Sequence, residues 1–178
     1  MDFLLWIHFY FALMNRLIVL TGVPGSGKSY FARNLKAHNP EHVHIISSDE
    51  LRKELLGSQQ NLSNEPLIWQ TFYQRVKDFS KYQNDIIILD ATQAKKEYRV
   101  NNIKPFVPLY DEIDLICFLL DKVLVLKQNK EREFPIPEDA LIKLIDEFEL
   151  PDEDEKEFYN HLDIINSHDV DEIVKRYL

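Results

Sequence analysis

The chain has 178 residues, 45% hydrophobic and 29% charged, the balance of an ordinary globular protein long enough for one domain. Its formal net charge of -9 argues against a broad nucleic-acid-binding surface, which needs a basic face, but not against one local basic pocket. Cys117 is the only cysteine, so an internal disulfide is excluded, and the composition predicts a protein of the reducing cytoplasm.

The first thirteen residues, MDFLLWIHFYFAL, are unusually apolar. No positive charge precedes the run and no small-residue cleavage site follows it, which disfavours a signal peptide. The run is also shorter than the roughly 20 residues that a membrane span needs. We therefore expect residues 1–13 to be an N-terminal extension or a misplaced start, with a membrane anchor as the alternative. Residues 14–178 are expected to form a single domain without a membrane attachment.

Residues 16–21 form an apolar run that predicts the first strand, and residues 28–37 have the periodicity of a helix. Between them lies GVPGSGKS, the pattern G-x-x-x-x-G-K-S/T, in a chain with only four glycines. Glycines let backbone amides turn toward phosphate oxygens at a helix N-terminus, the lysine adds a cation, and the next hydroxyl can bind magnesium. We predict a phosphate-binding loop for ATP, or another nucleoside triphosphate, with Mg²⁺. Lys28 is the predicted catalytic cation and Ser29 the metal ligand; the nucleotide-binding residues are Gly22, Pro24, Gly25, Ser26, Gly27, Lys28, Ser29 and Tyr30.

A short second strand is predicted at residues 43–46, and Ser47 and Glu50 after it have the spacing of a capping box that begins a helix. Asp49 stands just past the strand's carboxyl end, where open α/β sheets bind their ligands. A carboxylate there can accept the proton of an acceptor hydroxyl, and Arg52 could hold an anionic group on that acceptor. The alternative is structural: Asp49 complements the helix N-terminus and Arg52 forms a surface ion pair.

After that helix ends at Gly57, apolar residues at helical spacing predict one long helix over residues 66–81. The apolar side chains of this helix are mostly aromatic, and we predict that they belong to the core rather than to a ligand-binding wall. They are Trp69, Phe72, Tyr73, Val76 and Phe79.

The apolar run over residues 85–89 predicts a third strand, buried on both faces, with Asp90 at its carboxyl end. Asp90 and Thr92 are predicted to bind the acceptor; Asp90 could also orient magnesium through water, and a capping role is the alternative. Asp90 is not followed by the glutamate of ring-forming ATPases, and no N-K-x-D motif of GTPases occurs, so transfer to an acceptor is favoured over hydrolysis. Arg99, in a helix predicted over residues 95–103, is better explained as a structural or solvated arginine than as a catalytic one.

The basic cluster before Pro135 can form a mobile lid, because a cation there could stabilise the transferring charge. Arg132 is the first candidate, since a guanidinium matches phosphate oxygens, and Lys130 is the second; a plain helix-end charge cluster is the alternative. The remaining elements continue the alternation of strands and helices. They are a strand at 113–119, helices at 121–128 and from Pro137, a solvated acidic connection at 151–157, a strand at 162–165 and a helix from Val170. The pattern predicts an α/β fold, a P-loop NTPase three-layer sandwich with a parallel sheet and a small helical lid.

Five motifs occur in the order found in small P-loop kinases that are AAA-family ATPase-like and similar to the kinase domain of phage polynucleotide kinase. They are GVPGSGKS, SSDELRKELLG, DAT followed by Arg99, NKERE-x-P-x-P and FELP, and the resemblance covers residues 16–151. It implies that Lys28 and Ser29 serve ATP and magnesium, Asp49 is the general base, Arg52 contacts acceptor phosphate, Asp90 organises the site and Arg132 is the lid arginine.

Two positions depart from that family's pattern. The family commonly has asparagine after Asp-x-Thr or in place of that threonine, whereas here Thr92 is followed by Gln93. The family also commonly has arginine before the lid asparagine, whereas here Gln128 precedes Asn129. The prediction is an ATP-dependent kinase that transfers the γ-phosphoryl group to a hydroxyl of a nucleic-acid 5′-end or of a small metabolite. Two alternatives stay open: a toxin-like kinase of a nucleotide-sugar or small metabolite, and a non-catalytic switch that closes its lid on ATP.

Overall fold

The computed structural model describes residues 14–119, 121–166 and 170–178. Apolar runs form its strands and amphipathic segments its helices. The strands are β1 Arg16–Thr21, β2 Val43–Ser47, β3 Ile86–Asp90, β4 Glu112–Leu119 and β5 His161–Asn166. The helices are α1 Lys28–His38, α2 Ser48–Leu56, α3 Glu65–Phe79, α4 Lys96–Ile103, α5 Lys122–Lys130, α6 Glu138–Asp146 and α7 Val170–Lys175, with 3₁₀ helices at Lys104–Leu109 and Glu153–Phe158.

The strands form one sheet in the order β2-β3-β1-β4-β5, and every described pair is parallel. In this register Asp90 at the end of β3 lies beside Leu20 of β1 and Ser47 of β2. The phosphate loop after β1, Asp90 and the start of α2 therefore meet at one carboxyl edge of the sheet. The predicted α/β fold with a parallel sheet is confirmed.

Side chains of β1 alternate between two cores, one on each face of the sheet. Leu17 and Val19 belong to the core that contains Phe72 of α3. Ile18 and Leu20 belong to the core on the other face, with α1 and α7. A third, smaller cluster joins Val23 of the phosphate loop to α5 and α6. Helices thus cover both faces, and α5 and α6 form a small helical unit against the loop.

The prediction that the apolar residues of α3 belong to the core holds for only part of the set. Phe72 and Val76 are buried, with 1% and 0% of their surfaces exposed. Trp69, Tyr73 and Phe79 are half-buried and pack against the edge of that core. The periodicity identified the buried face of α3 correctly, but it could not show that the side chains at the edge of that face are partly exposed.

The prediction that residues 151–157 form a solvated connection is wrong for Glu155. This side chain is fully buried in the second 3₁₀ helix, and its carboxylate accepts from Nε and Nη2 of Arg99 at 2.7 and 2.6 Å. Arg99 is also fully buried, and its Nη1 donates to the Glu149 carbonyl at 2.8 Å. A buried carboxylate needs such a partner, since an unpaired charge is costly to bury. Arg99 is therefore a structural arginine.

The predicted N-terminal extension, residues 1–13, lies outside the described residues. Of the helices that the structure describes, none combines the length and the apolar character needed to cross a bilayer. Cys117, in the middle of β4, is fully buried, and burial raises the pKa of its thiol to about 12.

Candidate active site

The loop between β1 and α1 folds around Lys28, the first residue of α1. Lys28 is 7% exposed, and its Nζ donates to the carbonyl oxygens of Gly22 at 2.7 Å and Val23 at 3.1 Å. Burial lowers the pKa of Lys28 to about 8, although the negative charge of Asp90 acts in the opposite direction. The two loop carbonyls thus hold the Lys28 amine inside the loop, from where it could move to a bound phosphate.

Gly22 and Ser26 make this loop unusually tight. Gly22 has a φ of +149°, and a Cβ there would lie 2.7 Å from Ser26 Oγ and 2.9 Å from the Phe118 carbonyl oxygen. Ser26 is fully buried, and among the described residues its hydroxyl has no hydrogen-bond partner. A buried hydroxyl without a partner is uncommon, and a loop that receives phosphate oxygens would supply one.

Ser29 and Asp90 meet at the start of α1. The hydroxyl of Ser29 donates to Asp90 Oδ2 at 2.7 Å, and Asp90 is 8% exposed. Burial raises the pKa of Asp90, while Lys28 and the hydrogen bond from Ser29 act in the opposite direction. A hydroxyl and a carboxylate in contact beside a phosphate loop are oxygen donors of the kind that Mg²⁺ prefers. These residues fit the magnesium site predicted at Ser29.

Thr92 supports the phosphate loop through its backbone. Its carbonyl oxygen accepts from the amide of Gly22 at 3.1 Å, and the hydroxyl of Thr21 donates to the next carbonyl, that of Gln93, at 2.9 Å. Gln93 has a φ of +44°, which is uncommon for a residue with a side chain. The turn after β3 therefore braces the loop after β1, while the predicted contact of Thr92 with an acceptor stays a prediction.

Asp49 lies in the first turn of α2, where Ser47 Oγ accepts from the amide of Glu50 as the N-cap. Arg52, one turn further, donates from Nη1 to Asp49 Oδ1 at 2.8 Å. It also grips Glu65 at the start of α3, with Nε–Oε1 at 2.7 Å and Nη2–Oε2 at 2.8 Å. Glu65 is a site residue that sequence reasoning missed, since no local pattern links it to Arg52, 13 positions away. Arg52 is thus committed on two sides, and its contact with an acceptor stays a prediction.

Arg132 reaches the same carboxylate from the loop between α5 and α6. Its Nη2 lies 3.9 Å from Asp49 Oδ2. The side chain of Asn129 fixes this loop. Its Nδ2 donates to the Ile136 carbonyl at 2.8 Å, and its Oδ1 accepts from the backbone amide of Ile136 at 3.0 Å. Lys130, the second lid candidate, lies 3.5 Å from Glu138 instead. Among the predicted lid cations, Arg132 is therefore the one that the fold brings to Asp49.

These side chains surround a cavity of about 650 Å³ between the phosphate loop, α2 and the α5–α6 loop. Its lining contains most of the predicted site residues: Pro24, Lys28, Ser29, Asp49, Arg52, Asp90, Thr92 and Arg132. Tyr30 is 53% exposed on α1 and does not line this cavity, so its assignment stays a prediction.

A second cavity of about 670 Å³, which we call the aromatic cavity, adjoins the first at Asp49, Arg52 and Thr92. Its walls include three aromatic side chains, two from α3 and one from α4: Trp69, Tyr73 and Tyr98. Asp49 thus lies where two spaces meet, each within the range of small-molecule sites, roughly 300–1,000 Å³.

Comparison with known proteins identifies the architecture. A family described as an AAA domain matches residues 17–151. Kti12 of Chaetomium thermophilum, in complex with ADP-AlF3, aligns with a TM-score of 0.68 and 20% identity over 90% of this chain and 96% of that one. A gluconokinase from Sinorhizobium meliloti 1021 aligns with a TM-score of 0.61 and 17% identity over 90% and 88%.

The Pnkp1/Rnl/Hen1 RNA repair complex contains a chain that aligns with a TM-score of 0.65 and 22% identity, over 76% of this chain and 44% of that one. At such identities these likenesses speak for the fold alone. They confirm the P-loop NTPase fold class and the resemblance to small P-loop kinases that the motifs indicated.

Proposed function

This chain belongs to the AAA-domain family, and we propose that it is an ATP-dependent kinase that transfers the γ-phosphoryl group to an acceptor hydroxyl. The observation that carries the proposal is the position of Asp49, where the cavity of the phosphate loop and the aromatic cavity meet. A kinase uses a base between its two substrates to accept the proton of the acceptor hydroxyl. A non-catalytic switch has no need of one there.

In the proposed mechanism Lys28 leaves the carbonyls of Gly22 and Val23 and binds the phosphates of ATP, with the loop amides around them. Ser29 and Asp90 would hold Mg²⁺, which neutralises phosphate charge when it is bound. Asp49 accepts the proton of the acceptor hydroxyl as that oxygen bonds to the γ-phosphorus and the bond to the β-phosphate oxygen breaks, which releases ADP. Arg132 stabilises the charge on the transferring group, since it already lies beside Asp49.

The acceptor is a polynucleotide 5′-end or a small metabolite, and radiolabelled ATP can identify it. The panel contains 5′-hydroxyl oligonucleotides, nucleosides, sugars and nucleotide-sugars, so it also covers the alternative of a nucleotide-sugar kinase. A protein that binds ATP tightly but labels no member of the panel would support the alternative of a non-catalytic switch.

Asp49→Asn tests the proposal directly. This change keeps the size of the side chain and its hydrogen bond with Arg52, but the amide cannot accept the proton. We expect phosphotransfer to fall by about 10²- to 10⁴-fold, the usual contribution of general-base catalysis, while ATP affinity stays near the wild-type value. Transfer rate and ATP affinity are measured on the same preparation. Glu54→Gln is the matched control and should transfer at the wild-type rate, because Glu54 lies on the same helix, is half-exposed and lines none of these cavities. Undiminished transfer by Asp49→Asn would remove Asp49 as the base.

A further inference from the structure

Ionisable side chains gather at the amino ends of three neighbouring strands, at the edge of the sheet opposite the phosphate loop. Arg16 of β1 pairs in register with Glu112 of β4, and Asp114, two residues further along β4, pairs with His161 of β5. Side chains two apart on a strand, like those paired across neighbouring strands, lie on the same face of a sheet. The four side chains therefore share one corner of the sheet, away from the proposed site of phosphoryl transfer.

Glu112, Asp114 and His161, which we call the amino-edge cluster, converge on one point. One ligand atom from each, two carboxylate oxygens and an imidazole nitrogen, lies within 4.8 Å of the other two. In the part of the chain that the structure describes, no other three His, Cys, Asp or Glu side chains meet this distance. Ligand atoms around a tetrahedral zinc ion are about 3.4 Å apart. His161 is exposed, so its ring can rotate to close the difference.

Asp114 is buried in a way that calls for a ligand. Its side chain is 1% exposed, and neither carboxylate oxygen has a hydrogen-bond partner among the described residues. The great majority of buried polar groups are hydrogen-bonded, and a carboxylate without donors is costly to bury. A cation coordinated by this carboxylate would compensate for the missing donors.

Arg16 supplies only part of the charge that the two carboxylates need. Its Nε donates to Glu112 Oε2 at 2.7 Å, and its Nη2 donates to the same oxygen. The Nε also lies 3.5 Å from Asp114 Oδ2, which is an ion pair without a hydrogen bond. The hydroxyl of Tyr177 faces Asp114 too, but outside hydrogen-bond geometry. Two carboxylates thus share one guanidinium, and one negative charge has no counter-charge while His161 is neutral.

We propose that the amino-edge cluster binds Zn²⁺, through one oxygen each of Glu112 and Asp114 and one ring nitrogen of His161, with water as the fourth ligand. Zinc accepts carboxylate and imidazole ligands together in this four-coordinate arrangement. Mg²⁺ fits the cluster poorly, because it demands a six-coordinate octahedral shell of oxygens. The ion joins the amino ends of β4 and β5 and so ties the last strand to the sheet. It is a structural site, separate from the magnesium of the proposed kinase reaction.

The test is the binding of Zn²⁺ to the metal-free full chain, measured by competition with a chromophoric chelator without nucleotide. The variants His161→Asn and Asp114→Asn each remove one ligand. Because His161 is exposed, its replacement leaves the core intact. His42→Asn is the matched control: this histidine also pairs with a carboxylate near the amino ends of strands, with Nδ1 3.0 Å from Asp85 Oδ1, but lies outside the cluster.

We expect one tightly bound Zn²⁺ per chain, both in the wild type and in His42→Asn. Each ligand variant should bind zinc at least about 100-fold more weakly, since even the loss of a residue that supports a metal ligand costs about 10- to 100-fold. Arg16→Gln should bind zinc more tightly than the wild type, because it removes a cation beside the ion. Zinc should raise the urea midpoint of the wild type but not that of His161→Asn, and a large excess of Mg²⁺ should not displace it.

Zinc affinity unaltered in His161→Asn would overturn the proposal, because the ion would then be bound elsewhere. An equal loss in His42→Asn, displacement by Mg²⁺, or an affinity in Arg16→Gln no higher than in the wild type would do the same. Asp114→Asn is compared only if its urea midpoint without zinc shows a folded protein; otherwise His161→Asn decides. None of these results bears on the proposed kinase activity, which Asp49→Asn tests through the rate of transfer.

Discussion

Lys28 has a pKa of about 8 in the folded protein against 10.5 for an exposed lysine, chiefly because burial disfavours the charged amine. Between these two values the unfolded chain binds more protons than the folded one, so the free energy of unfolding rises with pH across this window. Below pH 8 the full cost of burying the charge is present, about 3 kcal/mol. The phosphate loop thus contains a side chain whose charge destabilises the protein without nucleotide.

Nucleotide binding should reverse this balance, because phosphate charge favours the ammonium form. Above pH 8 the free protein must take up a proton as ATP binds, so we expect the Kd for ATP to rise by up to roughly tenfold per pH unit. Calorimetry at pH 7, 8 and 9 measures the effect. Lys28→Ala should bind ATP weakly and without this dependence. A wild-type Kd that stays constant from pH 7 to 9 would show that the charge of Lys28 is not used in binding.

At the scale of helices and strands, the Arg99–Glu155 pair joins α4 to the second 3₁₀ helix, with both side chains fully buried. We expect Glu155→Gln to lower the free energy of unfolding by about 3–5 kcal/mol, because it leaves the guanidinium without a counter-charge. Urea denaturation monitored by circular dichroism measures the loss. Lys96→Ala is the control: its ion pairs with Asp152 and Asp154 lie at the surface, so its effect should be much smaller.

An unfolding midpoint for Glu155→Gln at the same urea concentration as for the wild type would contradict this prediction. The variant also reports on the site, since Nη1 of Arg99 donates to the carbonyls of Gln93 and Ala94, beside Thr92. Loss of the Arg99–Glu155 pair should therefore also weaken the turn at Thr92 and Gln93 that supports the phosphate loop.

Elements with strong local signals were predictable from the sequence. Continuous apolar runs marked the strands. Helix α2 begins after the N-cap Ser47 and ends at Gly57, which has a left-handed φ of +81°, as the sequence predicts. The capping box was only half right, because the carboxylate of Glu50 accepts from Gln59 at 2.6 Å. The 3₁₀ helix Lys104–Leu109 was missed, since its two prolines obscure any helical period.

The candidate site was predictable where a motif is contiguous, and not where it depends on distant partners. The phosphate loop, Asp49 and Asp90 each follow a strand, so the fold rule alone places them at one edge. Glu155 pairs with an arginine 56 positions away, and Glu65 with one 13 positions away, distances at which sequence spacing carries no information. Burial of individual side chains on one helix face, as for Trp69, depends on what packs opposite.

At the scale of the whole molecule, a bound nucleotide would connect the sheet, α1, α2 and the α5–α6 loop. We expect a non-hydrolysable ATP analogue at about 100 times its Kd to raise the free energy of unfolding by about 2.7 kcal/mol. Cys117 reports this change, because a buried thiol with a raised pKa reacts only when the fold opens. Labelling of Cys117 in mild denaturant should therefore be slower when the analogue is present. Lys28→Ala is the control and should be labelled at the same rate with and without the analogue. A wild-type labelling rate that the analogue does not change would show that the loop binds no nucleotide.

The clearance at Gly22 also limits how the gene itself can vary. A side chain at this position meets the backbone oxygen of Phe118, which cannot rotate away, at a φ that residues other than glycine rarely adopt. Every amino acid that a single base change in a glycine codon can produce carries a Cβ. No one-step missense route therefore leads away from Gly22 without strain, and a library of random variants screened for folded protein should be depleted of substitutions there even when no nucleotide is present.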